Sequence, residues 1–93
     1  MSRDVYLEMT YRHGKPVAGY LWLPGNDGGK AARTKEMGTG LVVDYAGDGR
    51  PIGIEIIYPG HVTLAEIKAV LAELHCESVS EKELAPLFAV CAS

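Results

Sequence analysis

Leu41-Val42-Val43-Asp44-Tyr45-Ala46-Gly47-Asp48-Gly49-Arg50-Pro51-Ile52-Gly53-Ile54-Glu55-Ile56-Ile57-Tyr58 reads as two strands of alternating apolar residues about a tight turn. Asp48-Gly49 is the turn signal, since Gly accepts positive φ and Asp tolerates it. Centring a two-residue turn there pairs Tyr45 with Ile52, Val43 with Ile54 and Leu41 with Ile56, and all six apolar residues share one face. A slip of one residue would set Val43 against Glu55 and mix the faces, so the pattern specifies the register. In this register Ala46 faces Pro51 as a non-hydrogen-bonded pair, where the missing N–H of proline costs the ladder nothing.

Upstream of the hairpin, Val5, Leu7, Met9 and Tyr11 alternate with Tyr6, Glu8 and Thr10, and a turn follows near His13-Gly14-Lys15. Gly19, Leu21 and Leu23 then alternate with Tyr20 and Trp22, giving a second strand. Residues 24–29, Pro-Gly-Asn-Asp-Gly-Gly, form a loop by composition. Ala31, Arg33, Lys35 and Met37 fit a short, solvated strand, with a helical turn as the alternative, and the lysines suit a sheet edge.

After Pro59-Gly60 the hydrophobic period changes from 2 to 3.6. Thr63-Leu-Ala-Glu66 is a capping box with Val62 and Ile67 as its hydrophobic staple. Leu64, Ile67, Leu71 and Leu74, flanked by Val70, make one apolar stripe. Ser80-Glu-Lys-Glu83 is a second box, and Leu84, Leu87, Phe88 and Cys91 continue at helical spacing. Pro86 either opens the last helix after a separate turn at 80–85, the favoured reading, or kinks a longer one. Strands first and helices last predict one α+β domain over residues 1–93. It comprises a four- to five-stranded antiparallel meander at about 4–58 and a tail of two helices at about 63–92.

The bulk properties exclude more than they assign. Of the 93 residues 47% are hydrophobic and 23% charged, which are globular values, and the formal charge of −3 argues against nucleic acid as a partner. Met1-Ser2-Arg3-Asp4 runs straight into a strand pattern with no apolar leader, and no run approaches ~18 apolar residues, so a cytoplasmic protein without a membrane contact is expected. Cys76 and Cys91 are expected to be free thiols in that compartment.

Val43-Asp44-Tyr45-x-x-Asp48-Gly49-x-x-x-Gly53-Ile54-Glu55-Ile56 resembles the hallmark hairpin of a widespread bacterial family, domain-of-unknown-function family 2283. Tyr20-Leu21-Trp22-Leu23 is similar to its second-strand segment and Ala32-Arg33-Thr34 to the strand before the hairpin. The likeness runs from about Val5 to Tyr58. It implies a small antiparallel sheet followed by helix, and it supports a strand within residues 30–37. The family has no established activity, cofactor or catalytic residue, so no role transfers to any position. Some members resemble antitoxin-like partners of a small neighbouring protein.

Three sets of residues are candidates for function. Asp44 and Glu55 are diagonal neighbours on the far face of the hairpin and are the best candidates for acid–base chemistry or for holding a hard cation. The competing reading is a solvated sheet surface, so no enzyme is assigned. His13, His61, His75, Cys76 and Cys91 match no metal-site spacing, and neither a metal nor a cofactor is expected. Lys30, Arg33 and Lys35 are the only basic concentration and read as a charged edge. Tyr6, Tyr20 and Trp22 fall on the sheet face opposite Leu7, Leu21 and Leu23, which leaves both faces apolar, more than one helix covers. Tyr6, Tyr20, Trp22, Leu87 and Phe88 are therefore the candidate interface residues: either the last helix folds back, or a second copy covers the face. The expected function is a non-enzymatic interaction module that self-associates, with a dimer as first guess and a small protein partner as the antitoxin-like version. The alternative is a small-molecule-binding protein or minor enzyme using Asp44 and Glu55.

Overall fold

The computed structural model describes residues 6–38 and 40–76. The expected second capping box, Pro86, Leu87, Phe88 and Cys91 lie outside them, as does the side chain of Tyr6. Five strands, β1 (Tyr6–Arg12), β2 (Lys15–Trp22), β3 (Arg33–Glu36), β4 (Leu41–Tyr45) and β5 (Pro51–Ile56), precede a 3-10 turn at Pro59–His61 and one helix, α1 (Leu64–Glu73). All strand pairs are antiparallel, so the α+β class and the strands-then-helix order stand as read.

The strand order is not that of a meander. It is β1-β2-β5-β4-β3, with β2 paired to β5 and β3 at the far edge. Residues 23–32 therefore carry the chain around the turn end of the β4–β5 hairpin. Asn26, buried in that connection, donates from Nδ2 to the Ile52 carbonyl at 2.9 Å, and its Oδ1 accepts from the Gly28 amide at 2.7 Å. The Leu23 amide donates to the same Ile52 carbonyl at 3.2 Å, and Ala32 N–H reaches Tyr45 O at 2.8 Å. Arg50 adds an ion pair to Asp27 at 3.7 Å.

This crossing corrects the hairpin at its turn end. Val43↔Ile54 and Leu41↔Ile56 pair as the alternation requires, but Tyr45 faces Pro51 rather than Ile52, with an irregularity after Asp44. The loop has three residues: Gly49 N–H bonds Ala46 O, Ala46 N–H bonds Arg50 O, and Gly49 takes φ 90°. That is a type I turn closed by a left-handed glycine. It shifts the register by one, and bulging at Ile52 shifts it back while turning that carbonyl toward Leu23 and Asn26.

The core lies between one sheet face and α1. Leu21, Leu23, Leu41, Val43, Tyr45, Ile54 and Ile56 meet Val62, Ile67, Val70 and Leu71 in one buried cluster. At about 1.5–3 kcal/mol for each large side chain, this burial supplies most of the favourable folding energy. Thr63 and Glu66 form the expected capping box, each side chain bonding the other's backbone N–H, and Val62 and Ile67 are both buried as the staple. The helix ends with His75 at φ 60°, Cys76 N–H on Leu71 O and His75 N–H on Ala72 O, a Schellman motif whose left-handed residue is not glycine.

Candidate functional site

The sheet face away from α1 is set by the same alternation that builds the core. Across the five strands one row runs Glu8, Tyr20, Glu55, Val42, Glu36, because these residues are register partners in turn. The adjacent row contains Trp22, Gly53, Asp44 and Thr34. At these paired positions four carboxylates stand on the face and no lysine or arginine does.

Tyr20 is the organising side chain. Its ring crosses β5 above Gly53, where a Cβ would overlap the ring and hydroxyl, and reaches β4. There its hydroxyl donates to Asp44 Oδ2 at 2.9 Å. Burial first, then this hydrogen bond and the charges of Asp44 and Glu55, push the phenol well above its ordinary range, so it remains a neutral donor. Trp22 meets Tyr20 edge to face at 5.3 Å and donates from its indole nitrogen to Glu8 Oε1 at 2.5 Å. Both polar tips are thus fixed by carboxylates, and the two rings are half-buried.

Asp44 and Glu55 occupy one face, as the hairpin pattern placed them, and the structure adds what lies with them. Asp44 is occupied by Tyr20, whereas Glu55 is exposed at the rim of a shallow depression of about 280 Å³ with Glu8, Thr10, Ala18 and Tyr20. Asp44 does not line that depression. Another hollow, about 390 Å³, lies between β3 and α1, lined by Met37, Leu41, Ala69 and Val70 among others. Among the described residues no three His, Cys, Asp or Glu side chains gather as a metal ion would need. His13 sits in the β1–β2 turn, His61 in the 3-10 turn against Tyr58, and His75 at the helix end. Of the basic residues, Arg33 lies over the Tyr45 ring at 4.6 Å on the α1 side of the sheet.

Sequence reading placed Tyr20, Trp22, Asp44 and Glu55 on one face but did not single out Glu8 and Glu36. Their signal was present in the alternation of β1 and β3. It becomes legible only when β1 is aligned on β2 and β3 on β4. Among the described residues no helix is long and apolar enough to cross a membrane. No curated protein and no solved structure matches the chain. One family model, described as Protein of unknown function (DUF2283), matches residues 18–58. That span runs from within β2 through β5, hence takes in Tyr20, Trp22, Asp44, Gly53 and Glu55, and leaves β1 with Glu8 outside. Residues 18–58 of this chain are thus similar to the DUF2283 family, whose function is unknown.

Proposed function

We propose that this protein is a non-enzymatic protein-interaction module acting through the sheet face opposite α1. The observation that carries the reading is the Tyr20–Trp22 pair. Two large rings are held in fixed orientation by Asp44 and Glu8 on a face whose neighbouring strand positions are acidic. Rigid aromatic side chains with their polar tips already satisfied give contact area at small entropic cost, the character of interface anchors. The carboxylate chemistry needed by the enzymatic alternative is less well served, because Asp44 already accepts from the Tyr20 hydroxyl and does not line the depression beside Glu55.

A partner of a different kind suits the face better than a second copy. Stacking two such faces about a two-fold axis would bring Glu8, Glu36, Asp44 and Glu55 of one copy toward the same set of carboxylates on the other, and like charges in apposition cost several kcal/mol. The antitoxin-like role, binding one small protein, is the concrete form of the proposal. The test is co-purification with the protein encoded beside this one, using wild type and Trp22→Glu. Wild type is expected to retain the partner, and the variant to lose it while keeping its far-ultraviolet circular dichroism. Retention by a folded Trp22→Glu protein would overturn the proposal. Sedimentation at tens of micromolar is expected to give a monomer, and a dimer broken by the same substitution would favour self-association instead.

A further inference from the structure

We propose that the occupant of this face is a basic amphipathic helix of the partner, laid across the strands. The inference rests on the interaction reading above and adds the chemistry and shape of what binds. Its basis is the row Glu8, Tyr20, Glu55, Val42, Glu36, one residue from each of the five strands. Strands lie ~4.8 Å apart, so the carboxylate positions repeat every ~9.6 Å, with the strand positions of Tyr20 and then Val42 between them. A helix rises 1.5 Å per residue, so side chains at i, i+7 and i+14 repeat every ~10.5 Å on one face, with i+3/i+4 and i+10/i+11 between. Lysine or arginine at the first set and apolar residues at the second match the row in order, and the mismatch accumulated from Glu8 to Glu36 is only ~2 Å. An extended segment repeats on one side every ~6.8 Å and falls out of step after a single carboxylate.

Charge makes the choice of occupant. Among the described residues the ion pairs are those of Arg50 with Asp27 and Asp48 at the hairpin turn, and neither reaches Glu8, Glu36 or Glu55. A metal ion does not fit a row so widely spaced, and among the described residues no metal-sized cluster forms. The chain's own residues 77–93 carry Glu77, Glu81 and Glu83 against Lys82 alone, the wrong sign for this face. A second copy brings the repulsion described above. A cationic side chain lying on Trp22 or Tyr20 gains ~0.5–2 kcal/mol from the ring face in addition to its carboxylate contacts.

The probe is an 18-residue helical peptide without tryptophan, bearing lysine at positions 1, 8 and 15 and leucine at 4, 5, 11 and 12. It is compared with an isomer of the same composition whose lysines are spread round the helix. Trp22 is the chain's one tryptophan, so its emission reports binding directly. The matched peptide is expected to shift that emission saturably, to bind at least about fivefold tighter than the isomer, and to weaken about tenfold as salt screens the row. Glu55→Gln is expected to weaken it severalfold, whereas Glu73→Gln, which removes the same charge on α1, leaves it unchanged. Equal binding of the two peptides, equal effects of the two substitutions, or no binding of the matched peptide would each overturn the inference. If that happens while Trp22→Glu still loses the co-purifying protein, the interaction module survives and only the basic helix falls.

Discussion

Gly53 owes its place to the side chain of another strand. A Cβ there would occupy the volume of the Tyr20 ring, so Gly53→Ala must swing Tyr20 away and break its bond to Asp44. The expected cost is about 1–3 kcal/mol in thermal or urea unfolding. In a Tyr20→Ala background the same substitution is expected to cost less than half as much. Additive costs would show that the ring does not depend on the glycine. Tyr20 also makes an alkaline prediction. Its folded pKa lies above its unfolded value near 10, so the folded state holds the proton more tightly. The stability it contributes is full below about pH 10 and is lost as pH rises through the folded value. Melting followed from pH 8 to 11 is therefore expected to fall more steeply for wild type than for Tyr20→Phe; parallel curves would remove Tyr20 from the account.

At the scale of elements, legibility followed the range of the forces. The capping box and staple at Thr63 are local, involve residues within one turn, and stood in the sequence as they stand in the structure. Val43↔Ile54 was legible because one-face burial fixes the parity of a hairpin. The Tyr45↔Pro51 pair was not, because the bulge at Ile52 serves Leu23 and Asn26, whose arrival from β2 no pattern within the hairpin announces. The end of α1 yields a prediction of its own. His75 is held at φ 60°, where glycine carries no Cβ penalty, so His75→Gly is expected to stabilise the protein by about 0.5–1 kcal/mol in chemical unfolding. A loss of stability would mean that the imidazole makes a contact worth more than the strain it bears.

The whole molecule combines two locally built ladders. β1 and β2 form one, and β3, β4 and β5 the other, each joined by short turns, whereas β2 pairs with β5 across more than thirty residues of chain. The strand order was the part of the fold least legible in advance, because it depends on that single non-local pairing. The same holds for the candidate face: the sequence showed its residues strand by strand, and only the joined sheet sets Glu8, Glu55 and Glu36 in line. Charge at the β3 edge helps keep the arrangement closed, since Arg33 and Lys35 would face like charges in a sheet continued through a second copy in matching register.

Tyr20, reaching over β5 to Asp44, has a consequence for the order of folding. Closing a long loop costs more entropy than closing a hairpin, so the β2–β5 seam is expected to form after the two ladders. Tyr20 and Trp22 stand on one side of that seam, and Asp44 and Glu36 on the other. The proposed binding face is complete in neither ladder alone. On the proposed reading, a partially folded chain would offer a partner an incomplete surface. A ligand lying across the seam would, in turn, draw the population toward the closed sheet by mass action, so that recognition and completion of the fold would become one event.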